Sequence, residues 1–136
     1  MFRIVYTSSL DPAVGSAEVE AIIRDSQARN ARHAITGAWL MHERECLSAL
    51  EGPPEAVRLV TERIWDDRRH NKFRLRDMKA ADHRLFEGWP LQFLDAAWAD
   101  AEQWNDHPGL RWLCSFAGGV DAFLEAGLPA DPTSEA

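Results

Sequence analysis

Two hydrophobic periods alternate along this chain, and their order leaves few folds open. Phe2-Arg3-Ile4-Val5-Tyr6-Thr7 is rich in β-branched and aromatic residues and repeats every two positions, with Phe2, Ile4 and Tyr6 on one face. Leu10 to Gly15 carries Asp, Pro and Gly and predicts a loop. From Ser16 the period lengthens. Glu18 and Glu20 suit the first turn of a helix, where the dipole favours negative charge, and Val19, Ile22 and Ile23 form its apolar stripe. A strand over 34–41, a polar turn at His42-Glu43-Arg44-Glu45 and a strand from Cys46 to Leu50 predict a hairpin. Glu51-Gly52-Pro53-Pro54 ends that strand and starts a second helix, with Val57, Val60 and Ile64 on its core face. Phe73-Arg74-Leu75-Arg76 alternates as a fourth strand, and 89–94 makes a fifth. The order β-α-β-β-α-β-β predicts an α+β, ferredoxin-like sheet with two helices on one face. Apolar stripes over 95–127 predict C-terminal helices covering the other face, with Trp98, Trp104 and Trp112 as packing residues. The predicted division is a core over 2–94, a helical extension over 95–128 and a flexible tail over 129–136.

Composition narrows function mainly by exclusion. The 136 residues include 22 acidic and 15 basic side chains, a formal net charge of −7, which argues against general nucleic-acid binding. The excess is local: residues 1–80 carry 13 basic and 12 acidic groups, and residues 81–136 carry 2 and 10. Arg68, Arg69, Lys72, Arg74 and Arg76 make a basic stretch, read either as a solvated loop and strand face or as phosphate-facing. No apolar run is long enough to span a bilayer, nothing at the start resembles a signal peptide, and two cysteines make no disulfide framework. A cytoplasmic setting is expected. Glycine-rich phosphate loops and the G-x-S-x-G elbow are absent. His42 and Cys46 nominate only two metal ligands, and Asp66-Asp67 and Glu43/Glu45 read as solvated carboxylates. No metal site and no enzyme activity are expected.

The first helix holds the most informative detail. Ser26 and Asn30 continue its apolar series, so the inward stripe ends in polar groups. A buried amide or hydroxyl costs free energy unless it finds a partner. Asn30 could be a helix C-cap and Ser26 a rim residue, or both could face a ligand beside the helix.

Several segments together resemble a known family. Ile4-Val5-Tyr6-Thr7-Ser8, Ser26-Gln27-Ala28-Arg29-Asn30-Ala31-Arg32 and Ile35-Thr36-Gly37 are similar to the opening of BLUF domains, blue-light sensors using FAD. So are Leu50-Glu51-Gly52, Asp67-Arg68-Arg69-His70 and Arg84-Leu85-Phe86-Glu87-Gly88-Trp89. The resemblance covers 2–94 and implies FAD as cofactor, its ring between the two helices. It implies that Asn30 and Ser26 meet the flavin carbonyl region and that Asp67, Arg69 and His70 meet the opposite side of the ring. It makes Tyr6 the electron and proton donor, and Trp89 and Leu91 signalling positions on the last strand. Ile23 and Leu40 are expected as apolar walls from their spacing.

One departure matters most. The family reads roughly Phe-Leu-Gln-x-Leu-Glu-Gly in the third strand, whereas this chain reads Cys46-Leu47-Ser48-Ala49-Leu50-Glu51-Gly52. Ser48 replaces a glutamine that bridges tyrosine and flavin. A serine hydroxyl close to the backbone reaches both only through a water, and has no amide to rotate. Arg44 is a second departure, at a turn position that is usually glycine. The expectation is a flavin-binding sensor with its usual photocycle absent or altered, signalling through protein contacts to a separate partner, as a homo-oligomer. The alternative is a degenerate member that binds no flavin and serves as an interaction module.

Overall fold

The first strand is longer than its apolar core because both of its edges are paired. In the computed structural model, which describes residues 1–130, β1 (Phe2–Leu10) lies inside the sheet, between β3 (Glu45–Gly52) and the edge strand β4 (His70–Ala80). Helix α1 (Ser16–Arg32) leads to β2 (Thr36–His42), and α2 (Pro54–Asp66) joins β3 to β4. The fifth strand, β5 (Gln92–Asp95), pairs in parallel with β2, and every other pairing is antiparallel. The strand order β4-β1-β3-β2-β5 is the ferredoxin-like α+β arrangement extended by one strand. Short helices α3 (Ala101–Asp106), α4 (Pro108–Cys114) and α5 (Val120–Ala126) follow, with single 3-10 turns at Ala96–Trp98 and Ser115–Ala117. Part of the expected tail, residues 131–136, lies outside the described residues.

The two-residue period sorts the sheet into two cores. Ile4 and Leu50 face α2 with Val57 and Val60, while Leu10, Trp39 and Cys46 pack against Val19, Ile22 and Ile23 of α1. Val5, Ala38, Leu40, Leu47 and Ala49 point the other way, onto Trp104, Leu110, Leu113, Val120 and Phe123 of the C-terminal helices. Trp98 departs from its expected packing role and is 86% exposed.

Close approach explains two glycines in the family-like segments. A Cβ on Gly37 would sit 2.1 Å from the Ala49 carbonyl oxygen, and one on Gly52 would sit 2.8 Å from that of Ala34. Glu51 beside Gly52 is fully buried and accepts from Arg3 Nε (3.1 Å), Thr36 Oγ1 (2.7 Å), Leu85 N (2.9 Å) and Phe86 N (2.8 Å). That carboxylate joins three neighbouring strands to the loop before β5.

The β2–β3 hairpin turns on Glu43 and Arg44 alone, since His42 and Glu45 pair directly. Both turn residues have positive φ, 53° and 91°, as a two-residue type I′ turn demands. Arg44 is an unusual choice there, and its contacts supply the reason. Its guanidinium donates to the carbonyls of Asp11 and Val14 (2.9 Å for the latter), and its own carbonyl accepts from Leu10 N at 2.9 Å. The strained turn is thereby fastened to the β1–α1 loop.

Candidate functional site

Between α1, α2 and the sheet opens a cleft. Tyr6, Ser26, Asn30, Ser48, Asp67, Arg69 and His70 all line it, together with Leu91. Tyr6 and Ser48 come from paired strands and stand directly opposite one another in the β1–β3 register. Ser26 and Asn30 come from the last turns of α1; Asp67, Arg69 and His70 follow α2. Trp89 is outside the cleft. Its ring stacks on His107 at 4.2 Å and 18°, beside Phe86, beneath the C-terminal helices.

Asn30 is fully buried, and His33 rather than Asn30 occupies the helix C-cap. Its Nδ2 donates to the Pro90 carbonyl at 2.7 Å, and Gln27 Nε2 donates to the Leu91 carbonyl at 3.0 Å. Helix α1 therefore holds the lead-in to β5 by its main chain. One N–H of the Asn30 amide remains for a ligand. Opposite, the Asp67 carboxylate takes a bidentate grip from Arg69 at 2.6 and 3.0 Å and also accepts the Arg69 backbone N–H. Burial alone would raise the Asp67 pKa, but the Arg69 hydrogen bonds and charge hold it below its ordinary value. His70 Nε2 donates to the Ile64 carbonyl, which fixes its proton on that nitrogen.

Burial pushes the Tyr6 phenol up to about 12, even though a hydrogen bond to Ser48 opposes the shift. The ring is held as a neutral phenol across the physiological range. Cys46, also in the cleft wall, is raised to about 11 by burial and is inert as a nucleophile.

Several lining residues carry no expectation of a cleft position from sequence, among them Ser8, Leu10, Cys46, Leu50 and Ile64. Arg29 and Trp39 face the cleft, as does Ile22 where Ile23 was expected. Arg29 and Ser26 follow Ile22 at helical spacing, so a stripe counted from Ile22 rather than Val19 finds them. Trp39 lines the cleft, while Leu40, expected as a wall, packs into the C-terminal core because successive residues of a strand alternate faces. Gln27 lies in the family-like run of α1, and its role as a latch follows only from the position of the Leu91 carbonyl.

The donor set has a definite character. Among the described residues, the half-buried Arg29 guanidinium makes only long side-chain bonds, 3.4 Å to Asn30 Oδ1, and desolvation lowers its pKa. With Asn30, Ser26 and Arg69 it offers N–H and O–H donors around the cleft, while Leu10, Leu50, Ile64 and Leu91 supply apolar wall. Such a site fits a flat heteroaromatic ring carrying carbonyl and ring-nitrogen acceptors. Among the described residues no cluster of His, Cys, Asp and Glu suits a metal ion.

Comparison with known proteins agrees with that chemistry. The family model described as sensors of blue light using FAD matches residues 1–92. No curated protein sequence matches the chain. Among solved structures, a bacterial light-regulated adenylyl cyclase is 25% identical at a TM-score of 0.70, over 73% of this chain and 29% of its own. BlrP1 of Klebsiella pneumoniae is 20% identical at a TM-score of 0.77, over 93% of this chain and 33% of its own. BlrB, a BLUF protein in its dark state, is 23% identical at 0.72, covering 91% of this chain and 92% of its own. The chain thus spans about a third of the two multidomain proteins and nearly all of BlrB.

Proposed function

The chain belongs to the BLUF family, defined by FAD as its cofactor, and on that premise we propose that the cleft holds the flavin ring in a sensor whose usual photocycle is absent or altered. One observation carries the reading: residues expected from separate segments to meet the ring all line a single cleft, with Ser48 opposite Tyr6. In it, Asn30, Ser26 and Arg29 donate to the carbonyl edge, Arg69 and His70 meet the other side, and Asp67 orients Arg69. FAD supplies blue-light absorption and, once excited, a one-electron oxidant. Tyr6 is the donor within reach. Ring binding rests on many contacts, each worth ~0.5–1.5 kcal/mol, so it survives the loss of one bridging amide. Signal storage rests on that one amide and does not survive intact.

The chain is a sensor rather than an enzyme in this reading, cytoplasmic and homo-oligomeric, passing its signal to a separate protein. No helix among the described residues is long and apolar enough to cross a membrane. A degenerate, flavin-free interaction module is the competing reading, favoured by Ser48 and by the bare indole of Trp98. An absorption spectrum of the purified protein with added FAD, dark and then blue-lit, separates them. A flavin spectrum without the reversible red shift supports the proposal. A full reversible shift refutes the altered photocycle, and failure to take up FAD refutes flavin binding.

A further inference from the structure

One aromatic contact leads out of the cleft. The Tyr6 ring stacks on Phe73 of β4 at 4.9 Å and 23°, and Phe73 also meets Trp65 at 4.9 Å and 56°. Trp65, near the end of α2, is 62% exposed. A half-buried oxidisable phenol and a solvent-facing indole are therefore no farther apart than two 4.9 Å steps, each in contact with the same aromatic ring. The other oxidisable ring in the cleft wall, Trp39, is buried and meets Phe93, another ring packed within that core.

We propose that Trp65, Phe73 and Tyr6 form an electron relay that lets dissolved reductants, thiols in particular, refill Tyr6 from the protein surface, so that light drives net reduction of the ligand in the cleft. The proposal rests on the reading that the ligand is a flavin. Tyr6 loses one electron to the excited ring system. Its phenolic proton follows to the same ring system, which leaves a neutral tyrosyl. The tyrosyl takes one electron from Trp65 across Phe73 and one proton from water, which returns Tyr6 to its starting state, while the Trp65 indole N–H proton passes to the water that bathes it. The thiol draws this step forward by consuming the Trp65 radical; without thiol the same path runs in reverse, from the Trp65 radical to a tyrosyl. A thiol restores Trp65 with one electron and one proton, and the resulting thiyl radicals pair as disulfide. Each cycle moves one electron from thiol to cleft. Phe73 is a bridge and is never itself oxidised.

Two measurements on the full chain test this. In the cofactor-free protein, pulse radiolysis with azide radical oxidises exposed tryptophan, and any tyrosyl signal that follows belongs to Tyr6, the only tyrosine. Concentration-independent transfer is expected, slowed by about tenfold or more in Trp65→Phe and unchanged in Trp98→Phe. Equal rates in wild type and Trp65→Phe would overturn the relay, with or without flavin. In the FAD-loaded protein under anaerobic blue light with thiol, bleaching of the flavin band should slow about tenfold in Trp65→Phe and in Phe73→Leu, at unchanged dark FAD affinity in Trp65→Phe. Unaltered bleaching in Trp65→Phe would also overturn it. A chain that takes up no FAD defeats the flavin reading, and the radiolysis experiment still decides the relay.

Discussion

At position 48 the chain carries a side chain of the right polarity and the wrong reach. Ser48 is buried opposite Tyr6, so its hydroxyl meets the phenol but ends near its own backbone. Ser48→Gln should restore a reversible red shift in the flavin-loaded protein if this position alone limits the cycle, as read by difference absorption under blue light. Asn30 makes a different kind of contribution, since its amide holds the Pro90 carbonyl and, in the proposed reading, also meets the ligand. Asn30→Ala should lower unfolding free energy by about 1–3 kcal/mol in urea titration and also weaken FAD binding. Asp67 gives a pH signature. Its folded pKa lies below the unfolded one, so its stabilising share is present above the unfolded carboxylate pKa and is lost as pH falls through the folded value. Urea midpoints should therefore drop between pH 5 and pH 3 by less in Asp67→Asn than in wild type.

At the scale of elements, the Glu51 network and the His107 cap make separable claims. Glu51→Ala leaves Arg3 nearly buried without its carboxylate and orphans the Leu85 and Phe86 N–H groups, and should cost about 3–5 kcal/mol in urea unfolding. His107 Nδ1 accepts from Gly109 N and Leu110 N at the start of α4, which requires a neutral ring, and desolvation lowers its pKa. Because the unfolded chain protonates His107 first, the cap's contribution is full above pH 6.5 and falls as pH drops below it. His107→Asn, an acceptor at every pH, should flatten that dependence, whose size is about 1 kcal/mol by thermal unfolding at pH 7.5 and 5.5. Element order was legible from period alone, because α2 and the central strands bury a face and α1 keeps a half-buried apolar stripe beside the cleft. The extent of β4 was not. Its solvent-facing positions, Lys72, Arg74 and Arg76 among them, hide an eleven-residue edge strand behind what reads as a short one. Only Ser26 and Asn30 of the cleft were legible as polar residues continuing an apolar stripe; Tyr6, Ser48, Asp67, Arg69, His70 and Leu91 came from the resemblance to BLUF domains. Trp39 and Gln27 escaped, one through the parity of a strand and the other because its partner is a distant main-chain carbonyl.

For the whole molecule, the sheet separates two environments. One face and its helices form the cleft, and the other lies under the C-terminal helices, where the acidic excess of the sequence begins. Ligand binding to the folded state alone adds stability by mass action. Saturating FAD at a hundredfold its dissociation constant should therefore raise the unfolding free energy by about 2.7 kcal/mol, read as a concentration-dependent thermal midpoint. An unchanged midpoint would count against a preformed flavin site. The latch from α1 to β5 carries a further consequence. Asn30 and Gln27 grip carbonyls of the chain itself, so the hold is blind to the side chains at positions 90 and 91. Leucine at 91 can be exchanged for another wall residue without releasing the lead-in to β5. Drift of sequence at the cleft wall is thereby uncoupled from the integrity of the frame, which leaves the shape of the wall free to vary within one unaltered architecture.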